Sequence, residues 1–107
     1  MDIAVTTLDR LPQVSNNTLV TICRQYKIRT LSLFGSILGE EFNAESDVDV
    51  LVEFEPDARI GYLGMSKIET ELSGILGRQV DLRTAAELSR YFRSDVLASA
   101  KVLYAGQ

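Results

Sequence analysis

The strongest structural signal in this sequence lies in residues 47–54, which read Asp47-Val48-Asp49-Val50-Leu51-Val52-Glu53-Phe54. Branched and aliphatic side chains are typical of a β-strand and Pro56 ends the run, so we predict a strand over residues 48–54. Because successive strand side chains point to opposite faces, Asp47 and Asp49 project to the same face, about 6.6 Å apart along the backbone. Two carboxylates this close repel each other unless a cation or a proton lies between them. Mg²⁺ suits such a pair, since it prefers hard oxygen ligands and takes the remainder from water and substrate phosphates.

A second strand is predicted upstream, where Thr30-Leu31-Ser32-Leu33-Phe34 alternates polar and apolar side chains and ends at Gly35 and Ser36. Gly35 permits a tight turn and a close approach of the backbone to a ligand. Ser36 offers a hydroxyl and a backbone N–H at the start of a short helical turn, predicted over residues 37–42, where the helix dipole favours an anion. Together the two strand ends predict a phosphate site beside a metal site.

A third acidic residue, Asp81, lies in another short alternating run, residues 79–83. If this run forms a strand beside the first one, Asp81 joins Asp47 and Asp49. Three carboxylates around a metal-bound triphosphate suit in-line transfer to phosphorus, with one acid polarising the incoming hydroxyl. Two simpler interpretations stay open: the paired aspartates can cap turns through their own backbone, and Asp81 can be a solvated residue at a sheet edge.

The remaining segments predict a scaffold for these strands. A helix is expected from Asn16 or Asn17 to about Lys27, with Cys23 buried on its apolar face. A second helix is expected over residues 62–76, ended by Gly77, and a capping box at residues 84–87 is expected to open a last helical region that extends to about residue 100. The predicted fold is therefore of the α/β or α+β class, a small mixed β-sheet flanked by helices.

The order of the motifs is specific: Gly35-Ser36, ten intervening residues, the Asp47-Val48-Asp49 motif before an apolar run, and an aspartate on a later strand. It resembles the nucleotidyltransferase superfamily. The small size and the run from residue 33 to residue 54 resemble the minimal nucleotidyltransferases (MNT), which are paired with HEPN-family RNase toxins in toxin–antitoxin modules. The resemblance extends over roughly residues 19–104 and implies a polymerase beta-like nucleotidyltransferase fold.

This resemblance implies roles for individual residues: Gly35 and Ser36 match the nucleotide-binding signature, Asp47 and Asp49 the metal-binding pair, and Asp81 the third catalytic acid and metal ligand. The implied activity is Mg²⁺-dependent transfer of AMP from ATP to a tyrosine hydroxyl of the cognate toxin, which is thereby neutralised in a hetero-oligomer. Many family members carry arginines after the Gly-Ser pair, where this chain reads Ile37-Leu38-Gly39-Glu40. Loss of a cation beside the triphosphate weakens charge stabilisation. The alternative is a weak or inactive antitoxin that neutralises the toxin by direct binding.

Length and composition indicate one small domain over residues 1–107, with residues 1–14 as an extended arm. The apolar fraction of 46% and the charged fraction of 24% are ordinary for a soluble globular protein. No run approaches the roughly 20 apolar residues of a membrane span, and the first residues lack a basic region followed by an apolar one, so we expect a cytoplasmic protein without membrane contact.

Charge and residue types narrow the chemistry further. The chain contains no histidine, which excludes histidine-based catalysis and the common zinc sites. The net charge is −4, and the sequence shows no cluster of basic residues of the kind that binds a nucleic-acid backbone. We therefore expect a protein or a small molecule as the acceptor and no direct nucleic-acid binding. A free-standing enzyme that modifies a small molecule needs an acceptor-binding domain, for which 107 residues leave little room.

Four side chains are left with two interpretations. Tyr91, Phe92 and Tyr104 belong either to the core or to an interface, and the implied partner favours the interface for Tyr104, whose phenol suits a half-wet position. Arg59, in the loop after the first strand, is either a solvated residue or a replacement cation for bound nucleotide.

Overall fold

The computed structural model describes residues 16–40 and 42–106. The predicted arm over residues 1–14 lies outside the described residues. The elements follow in the order helix α1 (Asn16–Gln25), strand β1 (Ile28–Phe34), a 3₁₀ turn (Gly35–Leu38), strand β2 (Val48–Phe54), helix α2 (Tyr62–Leu76), strand β3 (Val80–Arg83), a second 3₁₀ turn (Ala85–Glu87), helix α3 (Arg93–Ser99) and strand β4 (Lys101–Ala105).

The four strands form one mixed sheet in the order β3-β2-β1-β4. Strand β1 is antiparallel to both of its neighbours, whereas β2 and β3 are parallel. A parallel pair requires a crossover connection, and α2 supplies it between β2 and β3. The predicted class, a small mixed sheet with helices, is confirmed.

One face of the sheet carries the core. Along β2, Val48, Val50 and Val52 are at most 2% exposed, while Asp49 and Glu53 alternate with them toward the other face. Helices α1 and α2 cover the apolar face and contribute Leu19, Ile22, Cys23, Ile68, Leu72 and Leu76 to the same core. The predicted burial of Cys23 is confirmed, and this burial raises the pKa of its thiol to about 12.

The predicted elements with clear periodicity are confirmed. Strand β2 and helix α2 have the predicted limits, and Gly77 ends α2 in the left-handed conformation with φ 71°. Helix α1 ends two residues earlier than predicted, and the chain turns into β1 through Lys27, whose φ of 56° is outside the helical region. The run at residues 79–83 is a strand from Val80 onward.

Two predictions about local structure are wrong. The short helical turn was expected over residues 37–42, but it spans Gly35–Leu38, because Gly35 has φ 80° and turns the chain directly at the end of β1. The last helical region is not continuous. The capping box of Thr84 and Glu87 is present, yet it opens a three-residue 3₁₀ turn that stops at the extended and buried Leu88.

Residues 88–92 therefore separate that turn from α3. The guanidinium of Arg93 holds this segment by donating Nη2 hydrogen bonds to the carbonyl oxygens of Leu88, at 2.9 Å, and Ala86, at 3.4 Å. Strand β4 follows α3 directly and was not predicted. Its pairing with β1 contains a register shift between Leu31 and Ser32, which interrupts the simple alternation that marks a strand in sequence.

Among the described residues, helices of the length and apolarity needed to cross a membrane are absent.

Candidate active site

The acidic residues lie at one end of the sheet, where β2 begins. Asp47 is exposed and lies immediately before β2. Asp49 is the second residue of β2 and is half-buried. In the strand register Asp49 lies opposite Phe34 of β1 on one side and opposite Asp81 of β3 on the other. The strand that carries Asp81 thus lies beside β2, which is the condition on which Asp81 was expected to join the other acids.

The Gly35-Ser36 turn packs against Asp49. A Cβ atom on Gly35 would overlap Oδ2 of Asp49 and lie 3.1 Å from its Cγ, so only glycine fits this position as it stands. The backbone N–H of Ser36 donates a hydrogen bond to the Asp49 carboxylate. The two motifs that the sequence separates by ten residues are therefore in direct contact.

Asp49 is the electrostatic centre of this group. Its pKa is raised above the ordinary carboxyl value, first by partial burial and then by the negative charges of Asp81 and Asp47. The positive charge of Arg83 and the Ser36 hydrogen bond act in the opposite direction but do not cancel these effects. The site therefore carries an excess of negative charge, which a divalent cation would compensate.

Asp81 is paired with Arg83, two residues further along β3. The Arg83 Nε atom lies 3.0 Å from Oδ1 of Asp81 and Nη2 lies 3.4 Å from Oδ2. The hydrogen bond and the charge of Asp81 raise the pKa of the guanidinium. The sequence-based interpretation did not identify this arginine, although an acid and a base at positions i and i+2 of a strand share a face.

The donor chemistry of the three acids fits Mg²⁺, because all three offer carboxylate oxygens, the ligand type that this ion prefers. In the part of the chain that the structure describes, however, no three acidic or cysteine side chains are close enough to form a ready metal cluster. The structure brings Gly35, Ser36, Asp49 and Asp81 together around β2, but the Asp81 oxygens are turned to Arg83.

The loop that leads into Asp47 is held by an arginine that the sequence patterns did not identify. Arg78 donates Nη2 hydrogen bonds to the carbonyl oxygens of Asn43 and of Ser46, the latter at 2.8 Å, and its guanidinium lies 4.4 Å from the ring centre of Phe42. These contacts join residues more than 30 positions apart, so they cannot be predicted from a local pattern in the sequence. Arg78 thus fixes the approach to the first aspartate.

A cleft of about 520 Å³ opens beside the edge strand β3, next to Asp81 and Arg83. The carboxylate of Glu69 accepts a 2.8 Å hydrogen bond from the Leu82 N–H, which ties the edge strand to α2. This volume lies in the range of small-molecule sites. The wall is completed by Phe54, Ile60, Gly61, Tyr62, Met65, Ser66, Thr84 and Glu87.

The aromatic residues near the end of the chain divide between the two interpretations. Tyr91 and Phe92 are 84% and 52% exposed, so a core position is wrong for both. Tyr104 is half-buried on β4 and packs against the core, and its interface role stays a prediction. Arg59 is exposed, in agreement with a solvated loop residue.

The candidate site thus consists of two acids at the start of β2, a third acid on the neighbouring β3 and a Gly-Ser turn in contact with Asp49. The sequence matches the family described as "Polymerase beta, Nucleotidyltransferase" over residues 17–107. The chain therefore belongs to this nucleotidyltransferase family, and the enzyme class expected from the resemblance is confirmed.

The chain is similar to proteins that are named protein adenylyltransferases. The chain is 33% identical over 79 residues to a Methanocaldococcus jannaschii protein with the provisional name protein adenylyltransferase MJ1217, covering 73% of this chain and 78% of the relative. It is 29% identical over 94 residues to the protein adenylyltransferase MntA of Thermococcus cleftensis, covering 88% of this chain and 93% of the relative.

Solved structures share the fold. A crystal structure of a toxin–antitoxin with AMP-PNP matches 85% of this chain and 73% of its own chain, with a TM-score of 0.65 and 22% identity. A structure of a tri-AMPylated Shewanella oneidensis HEPN toxin in complex with MNT antitoxin matches 85% of this chain and 70% of its own, with a TM-score of 0.58 and 22% identity.

Proposed function

We propose that this protein is an antitoxin that transfers AMP from ATP to a tyrosine hydroxyl of a cognate HEPN-family RNase toxin and so neutralises it. The observation that carries this proposal is the contact of the Gly35-Ser36 turn with Asp49, which lies next to Asp81 in the sheet register. A phosphate-binding role of this turn beside the acids would suit transfer from a nucleoside triphosphate. The names of the relatives support adenylyl transfer to protein.

In this reaction the tyrosine oxygen attacks the α-phosphorus of ATP, the bond to the bridging oxygen breaks, and pyrophosphate leaves. The Gly35-Ser36 turn would seat phosphate oxygens, since Gly35 leaves the backbone open and the Ser36 hydroxyl can donate to them. Asp47, Asp49 and Asp81 would hold Mg²⁺, which stabilises the charge on the attacking and leaving oxygens when bound. Asp81, on the edge strand beside the open cleft, would also accept the phenol proton.

A second function, neutralisation of the toxin by binding alone, is favoured by one observation. Both carboxylate oxygens of Asp81 are engaged by Arg83, and residues 37–40 after the Gly-Ser turn carry no basic side chain. A site in this state has less positive charge to stabilise the transferring phosphate. The two functions differ in whether the carboxylates are needed to neutralise the toxin.

The test is intact-mass spectrometry of the cognate HEPN RNase after incubation with this protein, ATP and Mg²⁺. Transfer adds about 329 Da for each AMP group, and the Asp47→Asn, Asp49→Asn double variant abolishes the gain. The matched control is Glu53→Gln, which neutralises a carboxylate on the same face of β2 but away from the acids, and which leaves the gain intact. A stable complex without any mass gain contradicts the transfer reaction and leaves the binding function.

A further inference from the structure

Arg83 is brought to the acidic group by the strand itself. In the parallel register Asp81 lies beside Asp49, and Arg83 lies beside Leu51, so acid and base occupy consecutive positions on one face of β3. This is the face that carries Asp49 on β2. The guanidinium therefore lies on the same side of the sheet as the carboxylates rather than in a loop above them.

The pairing of Arg83 with Asp81 is too exposed to act mainly as a structural clamp. The two side chains are 47% and 37% exposed, and ion pairs in such positions contribute little to folding. Arg83 also carries its positive charge on the face of the sheet that holds Asp49 and Asp81. Its contribution is therefore to the charge balance of the site.

A divalent cation and Arg83 compete for the same atoms. Both oxygens of Asp81 face guanidinium nitrogens, at 3.0 and 3.4 Å, so a hard cation that ligates Asp81 competes with the guanidinium for its lone pairs and its negative charge. A guanidinium displaced from Asp81 keeps five N–H donors in a planar fork, which matches phosphate oxygens. Arg83 also lines the 520 Å³ cleft beside β3, so the displaced group has a cavity to enter.

We propose that Arg83 is a displaceable counterion that holds Asp81 in the ion-free protein and moves to the phosphates of the bound nucleoside triphosphate once the acids hold a divalent cation. The proposal rests on the proposed function for the identity of the nucleotide. It assigns to Arg83 the positive charge that residues 37–40 do not provide. Two affinities must then respond to Arg83 with opposite signs, which a purely structural salt bridge does not produce.

The first measurement is binding of Mn²⁺ alone to the whole chain, followed by electron paramagnetic resonance. Without its competitor, Arg83→Ala binds Mn²⁺ about threefold more tightly than the unchanged protein, the size expected for one exposed ion pair. Arg83→Lys, which keeps the charge but not the two-pronged geometry, lies between the two. An unchanged or weakened Mn²⁺ affinity in Arg83→Ala overturns the proposal.

The second measurement is binding of α,β-methylene-ATP at saturating Mn²⁺, since this analogue cannot release pyrophosphate. Arg83→Ala binds it about tenfold more weakly, because a charge-assisted hydrogen bond to phosphate is lost, and Arg83→Lys recovers part of the affinity. An equal affinity in Arg83→Ala and the unchanged protein contradicts the phosphate contact.

The matched control is Arg29→Ala, which removes the same charge from an exposed position at the far end of β1 and leaves both affinities unchanged. Thermal unfolding of each variant verifies that it is folded. Neither measurement uses the toxin or the transfer reaction. Opposite shifts in the two affinities therefore support Arg83 even if no AMP reaches the toxin, and failure of the unchanged protein to bind the analogue overturns this proposal separately.

Discussion

The two faces of strand β2 differ in burial and in charge. Val48, Val50 and Val52 point into the core and are at most 2% exposed, whereas Asp49 and Glu53 point to a face that the two long helices leave uncovered. Along this seven-residue strand the valines lie in the core, and the candidate site residue Asp49 lies on the opposite face, which also carries the buried Leu51. Substitutions on the valine face are expected to change the free energy of unfolding, and substitutions on the acidic face to change the reaction.

The largest effect is expected for Gly35→Ala, which tests whether the acidic face depends on the neighbouring turn. The added methyl group would overlap Oδ2 of Asp49 at a residue with φ 80°, so the turn or the carboxylate must shift. AMP transfer should fall about 100-fold, measured by intact mass against time, because a displacement of about 1 Å at a reacting group costs this much.

The matched control for Gly35→Ala is Gly74→Ala. Gly74 lies in α2 with no heavy atom within 4 Å of an added Cβ, so alanine should leave transfer unchanged and stabilise the helix by about 0.5–1 kcal/mol. Equal transfer rates for the two variants would contradict the role of the turn.

Val50→Ala sharpens the comparison from the buried face. Removing two methyl groups from a fully buried position should lower the free energy of unfolding by about 2 kcal/mol, measured by urea denaturation. Glu53→Ala, on the exposed side of the same strand, should change it by less than about 0.5 kcal/mol. A Val50→Ala variant that is fully stable but has lost transfer at low temperature would refute the division between the faces.

Arg78→Ala tests whether the acidic face also depends on the loop before β2. Without the hydrogen bonds to Asn43 and Ser46 the approach to Asp47 loosens, and transfer should fall about fivefold, equivalent to about 1 kcal/mol in the barrier. Arg78→Lys keeps the charge but has no planar fork for two carbonyls, so it should recover the rate only in part. Full activity of Arg78→Ala would show that the loop needs no such support.

The smallest effect is expected at the surface ion pair of Lys27 and Asp57, whose atoms lie 2.8 Å apart. Lys27 lowers the pKa of Asp57 in the folded protein, so the charged carboxylate stabilises the fold above the unfolded value of about 3.9. This contribution is lost as the pH falls through the lower folded pKa. The difference in urea midpoint between the unchanged protein and Asp57→Asn should therefore shrink progressively as the pH falls below about 3.9, and a pH-independent difference would contradict the pairing.

The sequence predicted those parts of the fold in which a period repeats. Strand β2 and helix α2 were found at their observed limits because alternation in one and helical spacing in the other are regular. Strand β4 was missed because its pairing with β1 shifts register, which interrupts the alternation of its side chains. The break at Leu88 was missed because the capping box is a true local signal whose continuation is decided by burial.

In the candidate site, too, local sequence motifs could be recognised, whereas contacts made only by the folded chain could not. The aspartates and the Gly-Ser pair are recognisable because their order along the chain is itself a motif, and the structure brings Asp49, Asp81 and Gly35 together; their catalytic and binding roles stay predictions. Arg78 and Arg83 were not recognised as partners of the site, since their contacts depend on the folded chain. The positive charges around an acidic site are in this case less visible in sequence than the acids.

The buried thiol of Cys23 can serve as a natural probe of how often the core opens. It is the single cysteine of the chain, it is fully buried in the core, and burial raises its pKa to about 12. An alkylating reagent can therefore modify it only in molecules whose core has opened, where the thiol returns to an ordinary pKa of about 8.5. When reclosing is faster than labelling, the modification rate reports the population of open molecules, so mass spectrometry after brief alkylation measures core stability without any engineered probe.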